Sequence, residues 1–215
     1  AVRAYAARFR GDVPAVIGHS QRARALIPGG NVFWRSNAAT AAGDALSMAG
    51  ETRAANDAYA EALALVRATS NTYLTLTGLS RLAVNERLLG HLRRTAELCR
   101  EGLALAEAKG LANTALAGTL WSALGEVLYE WNDLATAFAH MRKGCEMGER
   151  GGNVAGLGWS YMALARTLLA SGDLQGAGAT LDKLESLARG AALPVWIATA
   201  LPAWRAGLLA AQGRL

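Results

Sequence analysis

Residues 113–137 read Asn113-Thr-Ala-Leu-Ala-Gly-Thr-Leu-Trp121-Ser-Ala-Leu124-Gly125-Glu-Val-Leu128-Tyr-Glu-Trp-Asn132-Asp-Leu-Ala-Thr-Ala137. Asn113 is of the type best suited to start a helix, because its side-chain oxygen accepts from an unpaired N–H of the first turn. An apolar run rich in alanine and leucine follows. Asn132 then ends that run with a residue that takes the left-handed conformation closing many helices. A second helical run begins directly behind it. The stretch therefore reads as helix, tight turn, helix.

The same phrase recurs along the chain. Turn residues stand at Gly11, Gly50, Gly90, Asn132, Gly172 and Gly213, at intervals of 39, 40, 42, 40 and 41 residues. Candidate N-caps stand at Asn31, Asn71, Asn113 and Asn153, at intervals of 40, 42 and 40. Each repeat is predicted to be a first helix of about 17 residues, a turn, and a second helix of about 15. Hairpins repeated at a fixed period stack on their neighbours as a solenoid. Composition agrees with an all-α chain: 52% of residues are hydrophobic, only 4 are proline, and strand-favouring residues are sparse.

Trp121-Ser-Ala-Leu124-Gly125-Glu-Val-Leu128, followed by Ala137, resembles the tetratricopeptide signature W-x-x-L-G-x-x-Y. Tyr161-Met-Ala-Leu164-Ala165-Arg-Thr-Leu168 with Ala177 repeats it, as does Ala42-Gly43-Asp-Ala-Leu46 with Ala55, Tyr59 and Ala62. A weaker copy is Leu82-Ala83 with Thr95 and Cys99, and Ala23 and Pro28 match the close of a repeat at the N-terminus. Gly43, Ala83, Gly125 and Ala165 fall where two helices of a hairpin approach closely, while Trp121, Leu124, Tyr161 and Leu164 fill the groove between helices. The tetratricopeptide repeat has about 34 residues, and the repeat here is longer. Longer repeats with phrases such as Leu128-Tyr-Glu-Trp-Asn-Asp-Leu134 look like the sensor region of the MalT-type regulators, large ATP-dependent transcription activators of the LuxR family. The resemblance covers the whole chain, 1–215, and implies a single helical-repeat domain, a right-handed superhelix of antiparallel helix pairs. In that family a nucleoside-triphosphatase module precedes the repeats and a LuxR-type DNA-binding helix-turn-helix follows them.

The remaining features narrow the function. No apolar run reaches the roughly 18 residues of a membrane span, and the basic N-terminus has no apolar block of a secretory signal behind it. Cys99 and Cys145 lie in apolar helical patterns without metal-ligand spacing, so buried free thiols in a reducing cytoplasm are expected. The net charge of +5 comes from scattered arginines, which reads as a solvated surface rather than a nucleic-acid patch. No G-x-x-x-x-G-K-[ST] occurs, and Gly29-Gly30 and Gly151-Gly152 read as chain reversals before N-caps. His19, His91 and His140 lie far apart, in surface or turn positions. Glu126, Glu130 and Asp133 form an acidic cluster that reads as solvated rather than as an acid–base pair. No catalytic group, metal site or cofactor is expected. Residues 1–10 read as the tail of a helix and Gly213-Arg-Leu215 as a turn without a following helix, which predicts a fragment of a larger chain with apolar ends that can self-associate.

By the tetratricopeptide resemblance, first helices line a concave face. This nominates Asn37, Thr40 and Asp44, then Thr77, Ser80 and Arg87, then Thr119, Ser122, Glu126 and Tyr129, then Trp159, Met162 and Arg166 as binding residues. Trp159 and Tyr129 divide between packing and ligand contact, while Trp34, Trp131, Trp196 and Trp204 read as structural. The mixture suits a polar ligand or an extended peptide. The first functional reading is a non-catalytic sensor that binds an inducer or a regulatory protein. The alternative is an adaptor that docks a peptide or protein partner.

Overall fold

The computed structural model describes residues 2–9, 12–67, 69–151, 154–190 and 195–214. Among these residues the structure is all helix, with no strand: the fold is an all-α, tetratricopeptide-like solenoid. The chain divides into two compact units, Ala1–Leu105 and Ala106–Leu215. The first holds α1 (Val2–Phe9), α2 (Val13–Leu26), α3 (Val32–Met48), α4 (Thr52–Arg67) and α5 (Thr72–Leu88). Helix α6 (Leu92–Ala108) runs across the division. The second holds α7 (Ala115–Glu130), α8 (Leu134–Gly151), α9 (Val154–Ala170), α10 (Leu174–Gly190) and α11 (Val195–Ala211).

Hairpins α3/α4, α7/α8 and α9/α10 carry the packing, and each is joined to its neighbour within its own unit: α2 on α3, α4 on α5, α8 on α9, α10 on α11. The turns show why the period is visible in the sequence. Gly50, Gly90 and Gly172 have φ of 81° and Asn132 has 62°, the left-handed region that glycine and asparagine tolerate best. Each is held by a paired closing motif. In the first, Gly50 N–H donates to Ser47 C=O at 3.2 Å and Glu51 N–H to Leu46 C=O at 2.9 Å; Asn132 and Asp133 repeat it on Tyr129 and Leu128. These bonds satisfy last-turn carbonyls that would otherwise be orphaned. Asp133 and Asp173 then cap the next helix, accepting from Thr136 N–H at 3.2 Å and Gly176 N–H at 2.8 Å. One short phrase both stops a helix and starts the next.

The small positions are small for the expected reason. A Cβ on Gly43 would lie 2.5 Å from Tyr59 Cε1, and one on Gly125 would lie 2.7 Å from Met141 Cγ and 3.1 Å from the Ala137 carbonyl oxygen. Ala83 and Ala165 are fully buried, and Leu124, Tyr161 and Leu164 are buried with them. Both cysteines are buried free thiols.

The structure departs from the sequence reading in several places. Asn31 and Asn71 cap α3 and α5, accepting from Trp34 N–H at 3.3 Å and Leu74 N–H at 3.0 Å. Asn113 does not cap α7; Thr114 occupies that position, without a side-chain cap bond. The reason lies upstream, where Gly110 (φ 68°) closes α6 and the chain folds tightly, with Thr114 Oγ1 donating to the Leu111 carbonyl at 2.7 Å. Second helices are longer than expected, at 16, 18 and 17 residues for α4, α8 and α10. Trp34 and Trp131 are not packed inside: they are 39% and 44% exposed, because one falls in the first turn of α3 and the other at the C-cap of α7. Trp204 is half-buried. Gly11, Gly152, Asn153 and the side chain of Trp196 lie outside the described residues.

Candidate functional site

In the first unit, α3, α4 and α5 come together around one space. Between them lies a cavity of about 180 Å³ lined by Ser36, Asn37, Thr40 and Asp44 of α3, Ala62 and Val66 of α4, and Tyr73, Leu74, Thr77, Gly78 and Arg81 of α5. Four of the nominated residues, Asn37, Thr40, Asp44 and Thr77, therefore meet in one place. Gly78 lets α5 come close to α4, since a Cβ there would press on Leu63 at 3.2–3.3 Å. Ala62 and Val66 form an apolar floor.

Charge in the cavity is arranged unevenly. The Asp44 side chain is only 7% exposed and Oδ1 is held by the Tyr59 hydroxyl, which donates at 2.9 Å. Arg81 meets the same oxygen through Nη1 at 3.3 Å, but its own side chain is 41% exposed. The fixed charge is thus the carboxylate, and the guanidinium sits at the mouth on a long stem. Tyr73 is 63% exposed at the rim. Of the other nominees in this unit, Ser80 is buried and donates to the Thr77 carbonyl at 3.0 Å, and Arg87 is half-buried in the last turn of α5.

Sequence reasoning did not select Arg81, Tyr73 or Ser36. The repeat period could have found Arg81. With a 40-residue interval between Asn31 and Asn71, the position equivalent to Asp44 is Val84, and Arg81 is one helical turn before it, on the same face.

The second unit holds the other nominees in a different arrangement. Glu126 is buried rather than solvated, and Arg166 donates to its Oε1 at 3.2 Å while also lying 3.5 Å from Glu130. The Arg166 guanidinium stacks 4.2 Å from the centre of the Tyr129 ring. This corrects the reading of Glu126, Glu130 and Asp133 as a solvated acidic cluster: the first two share an arginine, and the third caps α8. Ser122 is fully buried and bonded to Ser160 at 2.6 Å. Trp159 is buried too, at 5% exposure, so its ring packs inside the unit. Thr119 and Met162 are half-buried beside them.

The titratable groups elsewhere serve packing. Burial pushes the Cys99 and Cys145 thiols up to about 12, far from the range of reactive thiolates. His91 Nδ1 lies 2.6 Å from Glu86 Oε2, and His140 sits edge-on to Trp121 with ring centres 4.9 Å apart. Among the described residues no group of His, Cys, Asp and Glu could hold a metal ion, and no helix is long and apolar enough to cross a membrane.

Solved structures with the same fold include BtubC (BKLC) from P. vanneervenii, at 17% identity and a TM-score of 0.65, with 87% of this chain and 77% of that chain covered. A Rap protein complexed with Competence and Sporulation Factor matches at 13% identity and a TM-score of 0.72, covering 87% of this chain and 52% of that one. The APC/C hetero-tetramer Cut9-Hcn1 matches at 15% and 0.69, covering 97% and 38%. At such identities these likenesses speak for the fold alone. No curated protein matches the chain. The model of the MalT-like TPR region, in contrast, matches residues 1–215 without a gap at either end, and the chain belongs to that family.

Proposed function

We propose that this chain is the sensor module of a MalT-type, LuxR-family transcription regulator, engaging an inducer or a regulatory protein or peptide without catalysing a reaction. One observation carries the reading beyond family membership: consecutive first helices, α3 and α5, converge polar side chains on a cavity with a buried carboxylate at its base. Such convergence of a few placed polar groups over an apolar floor is how binding sites obtain specificity. Binding there bears on the positions of α3 and α5 together, and it shifts the parent protein only so far as it favours one arrangement of those helices over another.

The cavity's size supports a narrower choice of occupant. About 180 Å³ is below the roughly 300–1,000 Å³ of drug-sized ligand pockets. It suits one side chain of a peptide, or a small polar molecule. A side chain of a peptide is the occupant in the second reading, in which the module is an adaptor that docks a peptide or protein partner.

The parent reading frame tests the proposal. A nucleoside-triphosphatase module before the repeats and a helix-turn-helix after them is the expected result, with Tyr73→Ala in the intact parent blunting the transcriptional response. Flanks made only of further repeats, or of an unrelated domain, would overturn the regulator reading in favour of the adaptor.

A further inference from the structure

The hydroxyl protons around the first-unit cavity are already engaged. Thr40 Oγ1 donates to the Ser36 carbonyl at 2.9 Å, Thr77 Oγ1 to the Tyr73 carbonyl at 2.8 Å, and Ser36 Oγ to the Phe33 carbonyl at 3.2 Å. Each is a helix residue bonding back to its own preceding turn. A hydroxyl that has given its proton away offers only lone pairs to a visitor. So these three lining residues act as acceptors, and they stand around the buried Asp44 carboxylate.

A visitor rich in acceptors, such as a carboxylate or phosphate, would meet these lone pairs and the Asp44 charge, with Arg81 as its main cationic partner. A compact visitor rich in donors meets complementary groups in Asp44, Thr40, Thr77 and Ser36. Arg81 already shows this chemistry: its guanidinium reaches in from the mouth to the same carboxylate oxygen at 3.3 Å. With 41% of its side chain exposed, Arg81 can turn toward solvent when another cation takes over its pairing with the buried carboxylate, which must stay paired.

We infer that the cavity between α3 and α5 is a subsite for a primary ammonium group, which Asp44 binds in exchange for Arg81 and which Thr40 and Thr77 orient as acceptors. This deepens the proposed sensor reading and rests on it for its biological meaning. The ammonium carries three donors on a point charge, so it fits a space too small for a larger cation's full shell of contacts. The occupant is thus an amine ligand, or a lysine or the amino terminus of a peptide. Arg81 is an internal stand-in that keeps the buried carboxylate paired while the subsite is empty.

The test titrates the intact, isotopically labelled chain with n-butylammonium and, separately, with butanoate. Amide signals of Thr77 and Gly78 and the side-chain Nε–H of Arg81 are followed. Butylammonium is expected to give saturable shifts at concentrations on the order of millimolar, as befits so small a ligand, and butanoate none over the same range. Asp44→Asn should weaken ammonium binding about tenfold or more, the worth of a charge-assisted bond. Arg81→Met should strengthen it about two- to fivefold by removing the competing ion pair. Should Asp44→Asn fail to fold, Thr77→Val keeps the shape and removes one acceptor, and a loss of about threefold is expected. Preferential shifts with butanoate overturn the inference. So does ammonium binding that Thr77→Val leaves unchanged. A chain that ignores both probes, but is flanked by the triphosphatase and DNA-binding modules, overturns this inference and leaves the sensor reading intact. Ammonium binding in a chain with other flanks supports the subsite and removes the regulator.

Discussion

Tyr161 illustrates how a signature residue does more than fill space. Its ring is buried in the α8–α9 contact, and its hydroxyl donates to Glu149 Oε1 at 2.6 Å, where Lys183 Nζ also donates at 3.0 Å. The Tyr161 hydrogen bond, and then Lys183, hold the Glu149 carboxyl below the usual carboxylate range. A carboxylate whose folded value lies below its unfolded value adds stability above the unfolded value, and that stability fades as pH falls through the folded one. Tyr161→Phe keeps the ring and removes the larger cause. Urea unfolding between about pH 7 and pH 3 should then show a shallower loss of stability with acid in the variant than in the parent. Parallel curves would mean that Glu149 gains nothing measurable from the tyrosine. Glu149 is itself 41% exposed, so solvent screening keeps the effect small.

Helix boundaries are set by a few caps, and these separate what the sequence discloses from what it conceals. Asn71 accepts from Leu74 N–H at 3.0 Å, whereas Asn113 precedes the capping position held by Thr114. Asn71→Ala should therefore cost about 1 kcal/mol, and Asn113→Ala only a few tenths at most, read as shifts of the urea midpoint. Equal losses would restore Asn113 as a cap. The recurring phrases disclosed the turns at Gly50, Gly90, Asn132, Gly172 and Gly213 because left-handed backbone demands a special residue type. The Asn113 register was hidden because Gly110 inserts a second left-handed closure that no period announces. The cavity was legible only in half. Asn37, Thr40, Asp44 and Thr77 follow from the face of a helix, but Arg81 enters from the adjacent helix one turn off the equivalent position. The repeat period marks the face on which Arg81 lies, but that its guanidinium meets Asp44 follows from how the helices are staggered. Trp34 and Trp131 misled for the opposite reason. Large aromatics at helix ends have too few neighbours to be covered, whatever their hydrophobicity.

A helical-repeat chain of 215 residues can respond to damage as one cooperative body or in parts, and the distribution of its contacts argues for parts. In repeat arrays each hairpin contacts only its neighbours, so stability is close to a sum of local terms. The chain's two compact units, Ala1–Leu105 and Ala106–Leu215, each hold their own hairpins and their own buried ion pair, Asp44 with Arg81 and Glu126 with Arg166. Gly125→Leu is the sharpest local injury available. Even a Cβ there lies 2.7 Å from Met141 Cγ and 3.1 Å from a backbone oxygen, so α7 and α8 must part, at a cost of about 1–3 kcal/mol. Amide hydrogen exchange should then show protection falling across α7 and α8 while α3, α4 and the cavity residues keep theirs, since local opening tracks local contacts. A single 1–215 domain that unfolds as one body makes the contrary forecast, with protection falling everywhere by the same amount. The distinction bears on mechanism, because a subsite at Asp44 that ignores injury at Gly125 must pass its signal through α3, α4 and α5 rather than through the stability of the whole chain.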